Sequence, residues 1–153
     1  MTDLSALYHE VIVDHGKNPR NFGVLESALE LKGVNPLCGD QLTLYLKIEG
    51  DKIVEARFTG KGCAISMASA SLMTQAIKGK TCAEAKALFE AFHALLLQEK
   101  TLKEVEGELG KLVILQGVAA YPSRVKCASL AWHALNGILS GEEGEISTEK
   151  KDD

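Results

Sequence analysis

Aromatic residues make up only 5% of this 153-residue chain, too few to build a stacking platform for nucleic-acid bases. Basic residues do not outnumber acidic ones: the formal net charge is −4. That balance argues against a nucleic-acid partner, which needs a basic face to offset phosphates. No apolar run approaches the length that crosses a bilayer. The N-terminus also lacks the basic-then-apolar signature of an export signal. The expectation is therefore a cytoplasmic protein with no membrane or nucleic-acid partner. Internal repeats, phosphate-cradling glycine loops and dinucleotide fingerprints are missing too. No two of the four cysteines form a local C-x-x-C pair.

What is present suits one domain. Apolar residues are 46% of the chain, enough to close a core at this length. Leu4, Leu7, Tyr8, Val11 and Ile12 share one face of a predicted helix that ends near His15-Gly16, before Asn18-Pro19. From about Ala28 the pattern becomes strand-like. Leu42, Leu44, Leu46 and Ile48 alternate, Glu49 to Lys52 make a turn, and Ile53 to Phe58 return as a partner strand. Cys63 opens a run of small residues, Ala64 to Ser71, that reads as a closely packing helix ended by Gly79. Thr81 and Glu84 have the spacing of a capping box for a second helix reaching about Gln98. Lys100 to Gly110 reads as exposed and partly helical. Lys111 to Ala120 is apolar and shows no assignable period. Pro122 starts a final amphipathic helix through Ile138. The expected fold is α+β: a small antiparallel sheet of about three strands covered on one face by helices. Residues 1–141 form the domain, and 142–153 read as a flexible charged tail.

In a reducing compartment, cysteines at chosen places are metal ligands or reactive thiols more often than disulfides. Cys38 lies in Asn35-Pro36-Leu37-Cys38-Gly39-Asp40, just before a strand; Cys63 lies at a strand-to-helix turn after Gly60 and Gly62; Cys127 lies in the first turns of the last helix. A thiol at a helix start meets unpaired N–H groups and the positive end of the dipole, which favours thiolate. Asp40 follows Cys38 by two positions, with a glycine between, so both side chains can point at one ion. Three thiolates and a carboxylate are donors that zinc accepts in tetrahedral geometry, and thiolate is the usual protein ligand of iron–sulfur clusters. Lys61, Arg124 and Lys126, next to these residues in sequence, can offset the excess negative charge. From spacing alone, the alternative of ordinary buried cysteines stays open. Cys82 reads as a packing residue, as do Trp132 and the four histidines.

At these residues the sequence resembles the SufU/IscU family of iron–sulfur assembly proteins, whose fold also forms the N-terminal domain of NifU. The resemblance runs from about Leu4 to Leu139. It is carried by the segments Asp14 to Gly23, Asn35 to Asp40, Gly60 to Ser66 and Arg124 to Trp132. It implies that Cys38, Asp40, Cys63 and Cys127 hold zinc, iron or a [2Fe–2S] cluster. It also implies a pyridoxal-phosphate cysteine desulfurase, SufS-like, as the partner that delivers sulfur as a persulfide, with cluster carriers or apo-proteins downstream. Lys126 stands where the IscU pattern has a histidine, and the stretch from about Cys82 to Gly110 looks like the longer SufU insertion. Both features favour the SufU branch, with zinc at rest. The function this implies is a zinc-dependent sulfurtransferase-like acceptor rather than a turnover enzyme. Cys38 is the expected sulfur acceptor because its loop, between Pro36 and Gly39, can move without disturbing a helix; Arg124 is its expected helper, able to pair with Asp40 when the metal site opens. A [2Fe–2S] scaffold and a purely structural zinc domain are the alternatives.

Overall fold

The alternating leucines of the central segment do share one face of a strand, and everything else is built on that face. In the computed structural model, which describes residues 4–36, 39–142 and 144–147, β2 (Asp40–Glu49) lies between β1 (Leu29–Asn35) and β3 (Lys52–Lys61). Both pairings are antiparallel. Leu42, Leu44 and Leu46 are buried, opposite Gly60, Phe58 and Ala56 of β3, and Leu31 joins them from β1. Gly50, at φ +65°, closes the β2–β3 turn in the left-handed conformation that the sequence assigned to it.

Helices cover this leucine face. α1 (Leu4–Lys17), α2 (Ala64–Ile77), α3 (Cys82–Leu96), α4 (Leu102–Leu109) and α5 (Pro122–Leu139) follow in chain order, with a 3-10 segment over Gly110–Ala120. The small residues of α2 let α5 approach closely. Ser69 Oγ donates to the Ala128 carbonyl at 2.6 Å and accepts from Trp132 Nε1 at 3.1 Å. Trp132 is fully buried and stacks on Phe92 of α3, as expected of a packing residue. The Thr81–Glu84 capping box forms as the sequence indicated.

Three elements differ from expectation. The sheet has four strands in the order β3-β2-β1-β4, and it is mixed. The added strand, β4 (Glu145–Ser147), runs parallel to β1 and comes from the stretch read as a charged tail. Ile146 explains it, packing against the core, while Glu145 lies 3.7 Å from Lys32 Nζ. Residue 143 and residues 148–153 of that tail lie outside the described residues. The stretch Lys100 to Gly110 is less exposed than its charge suggests. A second capping box, Thr101 with Glu104, starts α4, and Val105 and Leu109 are buried. The unassigned apolar stretch is the 3-10 segment, with Leu112, Leu115 and Val118 buried at every third residue, the period of that helix. Among the described residues, no helix is long and apolar enough to cross a membrane.

Candidate metal centre

One end of the sheet gathers the chemistry. Strand directions bring together the last residue of β1, the first of β2 and the last of β3, since Asn35 pairs with Asp40 and Gln41 pairs with Lys61. Cys63 follows β3 by two residues and is the N-cap of α2, its sulfur accepting the Ser66 N–H at 3.4 Å. Cys127 reaches the same end from the second turn of α5 and is fully buried.

Asp40 is the hinge of the arrangement. It is only 2% exposed, and a buried carboxylate needs partners. Asp40 Oδ1 accepts the Cys63 N–H at 2.9 Å, and Asp40 Oδ2 lies 3.7 Å from Cys63 Sγ. Gly62 makes this possible. A Cβ there would run into Asp40 Oδ1 and lie 2.8 Å from its Cγ, so only glycine leaves the carboxylate its place. Gly60, at φ +150°, passes so close to the Gln41 carbonyl that a side chain would collide with it.

The ligand atoms of Asp40, Cys63 and Cys127 all lie within 4.8 Å of one another. Bonds of about 2.0–2.3 Å to a tetrahedral ion would hold such atoms roughly 3.3–3.8 Å apart. A contraction on the order of 1 Å therefore brings them to coordination distance. The donor set, two sulfurs and a carboxylate oxygen, is of the kind zinc and iron accept, and the cradle left by Gly62 keeps the carboxylate aimed inward. The residues fit a bound metal. Cys38, the expected fourth member and sulfur acceptor, lies outside the described residues. Its flanks are fixed by Gly39, at φ +73°, whose N–H donates to the Asn35 carbonyl at 2.9 Å.

Arg124 is exposed in the first turn of α5, one turn before Cys127, and no ion pair joins it to Asp40 among the described residues. Its charge is felt by Tyr8. Burial pushes the Tyr8 phenol above its ordinary pKa, the Arg124 charge opposes that rise and Cys63 adds to it. Tyr8 is thus within electrostatic reach of both, a neighbour that the helical period of α1 did not reveal.

The other candidates are placed elsewhere. Cys82 begins α3, half-buried against the core, with its N–H on the Asp51 carbonyl. His15 is hydrogen-bonded to Ser71 Oγ at 2.7 Å. His93 and His133 pack against Phe89 and each other. They border a cavity of about 470 Å³ between α3, α5 and β4, which contains none of the three converging ligands.

Two side chains at the sheet end escaped the sequence reading. Asn35 is 1% exposed, and among the described residues neither its Oδ1 nor its Nδ2 has a hydrogen-bond partner. Ser66, one turn past Cys63, is likewise buried with its hydroxyl unpaired. The position of Asn35, five residues before an aspartate with a Pro-x-Cys-Gly turn between, was the only available signal. The sequence does not tell that its side chain faces inward.

Residues 7–128 match the family described as the NifU-like N-terminal domain. The chain is 45% identical to the zinc-dependent sulfurtransferase SufU of Bacillus subtilis over 93% of its own length and 95% of that protein's. It is 41% identical to the iron–sulfur cluster assembly scaffold protein IscU of Streptococcus pyogenes, covering 91% of this chain and 86% of that protein. Among solved structures it superposes, with a TM-score of 0.79 and 39% identity, on a putative iron–sulfur cluster assembly scaffold protein for the SUF system from Fervidobacterium islandicum. That match covers 83% of this chain and 92% of the other.

Proposed function

The chain belongs to the NifU-like N-terminal domain family, and we propose that it serves iron–sulfur cluster biogenesis as a zinc-binding acceptor of persulfide sulfur. The observation that carries this reading is the convergence of Asp40, Cys63 and Cys127 at one end of the sheet. Support also comes from the 45% identity to a protein named a zinc-dependent sulfurtransferase. Cys38, two residues before Asp40, completes the set of ligands.

When bound, zinc keeps its thiol ligands deprotonated at neutral pH. The chain's own residues do the rest. Gly62 and the Cys63 N–H hold the Asp40 carboxylate in place, and the Ser66 N–H supports the Cys63 sulfur. The partner is a pyridoxal-phosphate cysteine desulfurase of the SufS kind, carrying a cysteine persulfide. The Cys38 thiolate attacks the outer sulfur of that persulfide. The S–S bond breaks, the desulfurase cysteine leaves as a thiolate, and Cys38 carries the persulfide, with no net oxidation or reduction. Arg124, exposed at the start of α5, is placed to meet the partner's or the persulfide's negative charge.

The test uses a desulfurase loaded with labelled sulfur and follows the label onto this protein. Wild type takes up label and Cys38→Ser drops to background; undiminished uptake by Cys38→Ser overturns the assignment. Stimulation of desulfurase turnover separates this reading from a structural zinc domain, which would leave turnover unchanged. The 41% identity to a protein named as a scaffold supports a second reading, in which the same four side chains hold a nascent [2Fe–2S] cluster as cargo. Protein purified without oxygen is colourless and zinc-loaded under the first reading, brown under the second.

A further inference from the structure

Asn35 is buried at 1% exposure, and among the described residues neither end of its amide has a hydrogen-bond partner. A buried polar group in this state requires an explanation, and its position supplies one. Asn35 pairs directly across the β1–β2 ladder with Asp40, so the two side chains leave the same face of the sheet. Leu31, Gly33 and Asn35 alternate on the buried face of β1. Leu31 packs where Gly137 passes and Gly33 where Leu130 passes, so each step along β1 moves back along α5 towards its start. The next step carries Asn35 to the opening turns of α5, where Cys127 sits. Asn35 therefore lies beside Asp40, at the end of β1 that runs towards the start of α5. Ser66 Oγ, also buried and unpaired, stands near the same end of the sheet, one turn past Cys63.

We propose that Asn35 is a positioning residue of the metal centre, its side-chain amide donating N–H to a thiolate sulfur of the loaded site. The inference rests on the proposed metal binding and deepens it. Three thiolates and a carboxylate around a divalent ion leave excess negative charge in a buried place. Such a site gains from uncharged N–H donors that neither compete for the metal nor add charge. Asn35 offers two N–H groups that no other described residue uses.

The experiment measures two quantities on the full chain: zinc affinity, by competition with a chromogenic chelator, and the melting temperature of the metal-free protein. The variants are Asn35→Leu, close in size and apolar, and Asn35→Asp, the same shape with an added charge. Zinc affinity should fall about 10- to 100-fold in Asn35→Leu, and further in Asn35→Asp. The metal-free melting temperature of Asn35→Leu should stay level or rise, because an unpaired amide has been replaced by an apolar group. A merely structural asparagine would instead lower the melting temperature. Unchanged zinc affinity in Asn35→Leu, or a fall in affinity matched by a lower metal-free melting temperature, overturns the proposal while leaving zinc binding intact. Wild type that binds no zinc overturns the parent reading as well.

Discussion

The two ends of α2 both carry buried polar side chains, and they treat them in opposite ways. Along its middle and C-terminal half, the loop that follows α1 is sewn to the helix with its polar groups paired. Ser71 Oγ accepts the Arg20 N–H at 2.8 Å and is hydrogen-bonded to His15 Nδ1 at 2.7 Å. Thr74 Oγ1 takes Asn21 Nδ2 at 3.1 Å while donating to the Ser71 carbonyl, and Asn21 Oδ1 accepts from Lys78. Arg20 closes the loop on Asp14 at 2.7 Å. At the N-terminal end, around Cys63, the amide of Asn35 and the hydroxyl of Ser66 are buried and unpaired, and two thiols and a carboxylate face one another. Leaving a buried polar group unmatched costs about 1–3 kcal/mol. The paired seam is therefore what builds the fold, and the unpaired end is what the fold is built to present.

The difference can be broken at either end. The largest effect belongs to Gly62→Ala, whose new methyl group would occupy the space of the Asp40 carboxylate. Zinc affinity should fall roughly 100-fold, the upper range for displacing a supporting group. Chelator competition reads it, and wild-type affinity would show that Asp40 does not need that close approach. Next comes Ser71→Ala, which strips two partners from the seam. It should destabilise the protein by about 1–3 kcal/mol in denaturant unfolding and leave zinc affinity unchanged; a loss of affinity without a loss of stability would reverse the roles assigned to the two ends.

The smallest effect is on pH dependence. Burial, helped by the Arg20 charge, holds the His15 imidazole below its ordinary pKa. As pH falls through the usual value of about 6.5, the unfolded chain gains a proton that the folded chain resists. Stability therefore drops with falling pH. His15→Gln should flatten the fall between pH 7 and pH 5.5, seen as a smaller change in melting temperature across that range. An unaltered slope would mean that His15 protonates freely in the fold.

The same contrast separates what local residue pattern specifies from what only packing reveals. The strands at Leu42 to Phe58 and the helix capped by Thr81 follow from local pattern, and the structure has them. Cys63 and Asp40 could be paired because a thiol at a helix start and a carboxylate beside a turn glycine carry chemistry in their residue types. The 3-10 segment was illegible because burial every third residue, at Leu112, Leu115 and Val118, matches neither the strand nor the α-helix period. β4 was hidden because it rests on a single isoleucine among charged residues, and its partner β1 lies more than a hundred positions earlier. Asn35 was missed for a different reason. Its meaning lies in what it fails to contact, and only a packed environment can reveal that.

Metal content and X-ray absorption of the protein purified without oxygen test the central claim most directly. One zinc per chain is expected, in a tetrahedral shell of mainly sulfur with one lighter donor, the sulfur count falling in Cys63→Ser and in Cys127→Ser alike. A metal bound without sulfur, or no metal at all, would contradict it.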